Sequence, residues 1–101
     1  MVKLHYATKA TLVIGFLFLL ASCSTKEDSE FKSQYIAYKA LFVDGGRVVD
    51  TGNDDVSHSE GQGYGMLFAV AANDKDTFDA LWHWTQRTLM REDGLFSWRY
   101  R

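Results

Sequence analysis

The chain has no proline, a single cysteine and no surplus of basic residues. The missing proline excludes rigid polyproline spacers and leaves no fixed-φ interruption in any helix. One cysteine, Cys23, excludes an intramolecular disulfide. Two of the eleven basic residues, Lys3 and Lys9, fall in the first 22 positions, so the rest of the chain carries nine bases against thirteen acids. That balance removes the basic face a nucleic-acid partner needs. His58 and His83 lack metal-ligand spacing and thiol partners, so no metal site is expected. Gly61, Gly63 and Gly65 lack the lysine and strand of a phosphate-cradling loop, and no cofactor is expected. Apolar and aromatic residues are plentiful, at 47% and 15%, too rich for a disordered chain. The length of 101 residues bounds the protein to one small domain at most.

Residues 1–22 read as a secretory leader. Lys3 and Lys9 form a positive start, and Thr11 to Ala21 carries no charge. The run is short for a membrane span and suits a signal peptide, with an uncleaved anchor as the alternative. Leu20-Ala21-Ser22-Cys23 resembles a bacterial lipoprotein box, with Cys23 as the lipidated residue. Lipid on Cys23 implies a membrane partner and a cell-envelope location, and Ser24 after it suits outer-membrane delivery. The alternative is secretion to the periplasm or exterior, with Cys23 an incidental small residue. Residues 23–30 read as a polar tether.

From Phe31 the pattern is helical. Phe31, Tyr35, Tyr38 and Phe42 recur at spacings of four, three and four, and Asp44-Gly45-Gly46 predicts a turn. Arg47 to Asp50 suits a short extended piece, and Thr51 to His58 a loop. Ser59 and Gln62 match a capping box, which predicts a helix from Glu60 to about Ala72. Asn73 is expected to cap a third helix, with Asp74 and Asp76 in its first turn and Phe78, Leu81, Trp82, Thr85 and Leu89 as its buried stripe. Asp93-Gly94 predicts a turn, followed by a loosely extended segment. The fold class is therefore all-α, built from antiparallel helical hairpins. The aromatic run that reaches Tyr100 with no closing element suggests the N-terminal part of a larger protein.

The candidate for chemistry is Glu60. The helix that follows carries three glycines in five positions, each costing about 1 kcal/mol relative to alanine. Close approach of another helix or of a ligand is the usual return. Glu60, Tyr64, Leu67 and Ala71 share one stripe, and a core-facing stripe would bury the carboxylate and raise its pKa. The helix N-terminus opposes that by favouring the anion, and an acid that merely complements the dipole is the alternative reading. His58 beside Ser59 is not a catalytic triad, since no Gly-x-Ser-x-Gly elbow is present.

Gly46-Arg47-Val48-Val49-Asp50, Ser59-Glu60-Gly61-Gln62-Gly63-Tyr64-Gly65-Met66 and Ala69-Val70-Ala71-Ala72-Asn73-Asp74 resemble glycoside hydrolase family 8. So do Phe78-Asp79-Ala80-Leu81-Trp82, Trp84-Thr85 and Asp93-Gly94-Leu95-Phe96 with Trp98. The resemblance covers residues 31–101 and implies the opening hairpins of an α/α barrel of six helical hairpins. It implies an inverting hydrolase acting on β-1,4-linked glucan, of endoglucanase or cellulase type, with chitosan and xylan as alternative polysaccharides. Glu60 takes the family's general-acid position. The base and a further aspartate, in an Ala-Ser-Asp-Ala-Asp segment, have no match here, so the chain is expected to be inactive alone.

Three residues are candidates to bind substrate. Trp98 suits a sugar platform or core packing. Tyr64 suits a hydrogen bond to substrate or barrel filling. Asp50 suits the cleft entrance or a role in holding its loop, where acids bond nearby amides. Trp82 is expected in the core, and Trp84 exposed or against a neighbouring helix. The alternative function is a lipid-anchored, non-catalytic carbohydrate-binding or interaction protein.

Overall fold

A computed structural model describes residues 25–101. The leader, Cys23 and Ser24 lie outside the described residues. The chain divides into two compact units at Ser33 and Gln34. Of the first unit, residues 25–33 are described and are helical. Residues 25–30, which composition reads as part of a tether, thus have helical backbone. Lys26, Glu27 and Glu30 are good helix formers, with no glycine or proline among them.

The second unit opens with the rest of that helix, α1, which runs to residue 42. It then passes through β1 (Val43–Asp44), β2 (Arg47–Val48), β3 (Ser57–His58), α2 (Ser59–Ala71), α3 (Lys75–Thr88) and β4 (Arg99–Tyr100). β2 and β4 fall in the two segments expected to be extended, whereas β1 and β3 are additions to the helical expectation. β1 and β2 form a hairpin through Gly45 and Gly46, and β3 pairs antiparallel with β4 in the register Ser57↔Tyr100, His58↔Arg99. Gly46 has φ +89°, and a Cβ there would lie 2.6 Å from the carbonyl oxygen of Ala80. Glycine is therefore required both by the turn and by the seat of the hairpin on α3.

Helix α3 is amphipathic. Thr77, Leu81 and Thr85 are buried, as is Leu89 just beyond its end, while Phe78 and Trp82 are half-buried. Trp82 lies at the core's margin, tilted against Phe96 at 6.2 Å between ring centres. Its N-cap is Asp74, not Asn73: the Asp74 carboxylate accepts from Thr77 N at 3.1 Å. Asn73 instead closes α2. It has φ +56°, its N–H reaches Val70 O, and Asp74 N reaches Ala69 O. That is a Schellman motif, in which asparagine tolerates the left-handed position.

Helix α2 starts one residue earlier than the capping-box pattern predicts. Its N-cap is His58, with no side-chain cap, and Ser59 is its first helical residue. Gln62 does not reach back to the helix start. It is fully buried, accepts from Val48 N, and donates to Gly46 O, Leu81 O and Thr85 Oγ1 at 3.1, 3.3 and 3.0 Å. This amide ties the β1–β2 hairpin, α2 and α3 together. A Cβ on Gly65 would sit 2.8 Å from Val48 Cγ2 and 3.1 Å from Leu81 Cδ1, so the close approach expected of the glycine cluster belongs to Gly65. Around Gly63 the space is open.

Candidate active site

The buried face of α2 is Gln62, Gly65 and Ala69. The Glu60–Tyr64–Leu67–Ala71 stripe therefore lies on the opposite side. Tyr64 is 52% exposed, Leu67 60% and Val70 63%, and Glu60 is exposed too. This corrects the expectation that Leu67 and Ala71 carry Glu60 into the core. Gly65, on the same side as Gln62, makes the other face the one able to approach β2 and α3.

Glu60 stands in the first turn of α2, where the N-terminal amides favour an anion. Ser59 N donates to Trp98 O at 3.0 Å, so the backbone of a distant segment satisfies one of the four amides left free at the start of the helix. This bond and the β3–β4 pairing bring Trp98 beside Glu60. The Trp98 indole is 68% exposed and lies almost parallel to the His58 imidazole, 18° between planes and 5.7 Å between centres. The Arg99 guanidinium is 5.9 Å from the indole centre. His58, Ser59, Glu60, Gly61, Tyr64 and Trp98 together line an open cleft of about 470 Å³. Among these lining residues Glu60 is the one carboxylate.

Three of the four sequence candidates thus share one cleft. Asp50 is not among its lining residues. It is exposed, bridges Val56 through its backbone, and accepts from Gly52 N at 3.3 Å through its carboxylate. Trp84 is half-buried, edge-on to Tyr100 at 5.3 Å, with the Arg47 guanidinium 5.8 Å from its ring. Arg47 also donates to Ser57 Oγ at 2.8 Å and to Asp55 O, so it braces β3 and β4 from behind the cleft.

Sequence reasoning missed His58 and Gln62 as site-building residues. Gln62 has the spacing of a capping box, and Gly65 three residues on, sharing its helix face, was the available sign of burial. A histidine in the cap position between two serines, either a better cap, was the sign for His58.

A carboxylate flanked by exposed aromatic faces in an open cleft sets an acid beside apolar surfaces of the kind that sugar rings stack on. The chain belongs to glycosyl hydrolases family 8, whose sequence profile matches residues 1–101. It is 55% identical over 65 residues to an endoglucanase of Cellulomonas uda, covering 62% of this chain and 18% of that protein. It is 42% identical over 65 residues to a reducing end xylose-releasing exo-oligoxylanase of Halalkalibacterium halodurans, covering 60% and 16%. The crystal structure of a GH8 endo-β-1,4-glucanase from an Achatina fulica gut metagenomic library superposes with a TM-score of 0.64 and 57% identity, over 65% of this chain and 22% of that one. The chain thus spans about a fifth of the length of the relatives it matches.

Proposed function

We propose that this protein is a glycoside hydrolase that cleaves β-1,4-linked glucan with inversion, and that Glu60 is its general acid. The meeting of Glu60, Tyr64 and Trp98 in one cleft carries the reading. Glu60 protonates the departing glycosidic oxygen, Trp98 offers an apolar face to a pyranose ring, and Tyr64 offers a hydroxyl one helical turn from the acid. An inverting partner base lies about 6.5–9.5 Å from the acid, leaving room for water. Endoglucanases of Cellulomonas uda and Novacetimonas hansenii, at 55% and 51% identity, stand above the exo-oligoxylanases at 42–44%, which favours glucan over xylan. Within this proposal the helical unit is the opening part of an α/α barrel. The exposed apolar side of α2 supports that, because Tyr64, Leu67 and Val70 form a face suited to being covered by further helices. Lipid on Cys23 holds the enzyme at the cell envelope; incorporation of radiolabelled palmitate, lost in Cys23→Ala, tests this.

In the full-length enzyme, Glu60→Gln lowers hydrolysis of carboxymethyl cellulose by about 10²–10⁴-fold. The loss is smaller on an aryl glucoside, whose leaving group needs little protonation. Near-normal turnover of the polysaccharide overturns the assignment. Binding of cello-oligosaccharides without release of reducing sugar, in the unaltered protein, favours the non-catalytic carbohydrate-binding reading instead.

A further inference from the structure

The cap position of α2 holds a residue poorly suited to capping. Ser, Thr, Asp and Asn are preferred there because their side chains accept from the free amides of the first turn. His58 has extended backbone at φ −114° and ψ 148° and makes no side-chain cap bond. Serines stand on both sides of it, at 57 and 59. Its imidazole lies instead against the Trp98 indole, nearly parallel at 5.7 Å. The same two segments are tied twice more, by the His58↔Arg99 pairing and by Ser59 N donating to Trp98 O. The backbone of Trp98 thus serves the first amide of the helix, and the side chain of His58, free of any cap bond, lies against the indole.

We propose that His58 is a positioning residue for Trp98: its ring fixes the orientation of an otherwise exposed indole so that the sugar-binding face is set before substrate arrives. The inference rests on the reading of Trp98 as a sugar platform. Beside His58, this indole, exposed over two thirds of its surface, has the guanidinium of Arg99 5.9 Å from its centre, and Arg99 is itself an exposed, long side chain. Ordering a free side chain on binding weakens affinity by a severalfold factor, which a pre-ordered ring avoids. His58 touches neither the scissile bond nor the acid's proton in this scheme. Its effect therefore falls on substrate binding and leaves the chemical step alone.

The decisive variant is His58→Ser in the full-length enzyme, assayed on cello-oligosaccharides. Serine is a better cap, so Tm stays level or rises. KM rises about 3- to 10-fold with kcat within about twofold, as expected for losing one pre-ordered side chain. His58→Phe, which keeps a flat ring against the indole, restores KM. A residue with only a structural role gives the reverse, a level KM wherever Tm is kept. Unchanged KM in His58→Ser, alongside a raised KM in Trp98→Ala, overturns the positioning role and leaves the platform intact. Equal impairment of His58→Ser and His58→Phe overturns it as well. Unchanged KM in Trp98→Ala overturns the platform reading itself, and the role of His58 with it.

Discussion

Helices α2 and α3 are of similar length, joined by residues 72–74 and packed along each other, yet they are built on opposite plans. Helix α3 buries Leu81 and Thr85 and sends Lys75, Asp76, His83 and Gln86 to solvent. Helix α2 buries an amide, a glycine and an alanine, and sends Tyr64, Leu67 and Val70 outward. The first is a helix with one buried face and one solvated face. The second uses small and polar residues to approach its neighbours closely and keeps its large apolar surface on the side that bears Glu60. Helical periodicity finds a face of either kind, but residue size does not reveal which face a glycine-rich helix will bury.

The sharpest test of this contrast pairs two leucines. Leu81→Ala removes a fully buried side chain and is expected to cost about 4 kcal/mol, whereas Leu67→Ala on the exposed face costs under about 0.5 kcal/mol. Thermal unfolding of the 101-residue chain reads both, at about 4–8 °C per kcal/mol for a domain of this size. Equal losses would erase the distinction between the faces.

Gln62→Leu comes next, at about 3 kcal/mol. It strands the Val48 amide and the Gly46 carbonyl beneath the hairpin, and an unsatisfied buried group costs about 1–3 kcal/mol. Denaturant unfolding measures it, and hydrogen exchange at the Val48 amide should speed up in parallel.

Two glycines of the same helix should then diverge. Gly65→Ala drives a methyl into Val48 and Leu81 and costs about 2 kcal/mol. Gly63→Ala meets open space and gains about 0.5–1 kcal/mol from helix propensity. In the full-length enzyme Gly63→Ala reports whether anything approaches that position: a fall in activity despite the gain in stability marks a covered face.

The smallest effect is at the start of α3, and it depends on pH. Asp74 accepts from Thr77 and Tyr35 and pairs with Lys39 at 3.0 Å. Its carboxyl is held well below the usual carboxylate range, first by the Thr77 hydrogen bond and then by Tyr35. A depressed pKa gives stability that is present above the unfolded value near 4 and is lost as pH falls through the folded value. Burial, and then the bond to Asp74, push the Tyr35 phenol up to about 12. A raised pKa gives stability that is complete below the unfolded value near 10 and is lost as pH rises through the folded value. Tm should therefore fall below about pH 4 and again above about pH 10. Asp74→Ala costs about 1 kcal/mol at neutral pH and flattens the acid limb.

Much of the fold was legible in residue spacing. The turn at Gly45-Gly46, the second and third helices and the Leu81–Thr85–Leu89 stripe follow from periodicity and turn chemistry. The helix boundaries were not, because Ser59 and Asn73 have the right chemistry for caps one position from where capping occurs. Asp74 took the cap of α3 because its carboxylate also finds Tyr35 and Lys39, partners more than thirty residues away. The grouping of Glu60 with Tyr64 was legible from one helical turn. The placing of Trp98 beside them was not, since it depends on a two-residue strand pairing and on one backbone bond between distant segments.

That bond has a consequence for how the protein is made. The first amide of α2 waits for a carbonyl synthesised about forty residues later. At about 5–20 residues per second, the ribosome needs several seconds to deliver it. Throughout that interval the first amide of the turn bearing Glu60 lacks this partner, whereas the bonds of Asn73 and Asp74 at the other end of the helix are local. The turn that bears Glu60 is thus completed only after the segment that bears Trp98 has left the ribosome.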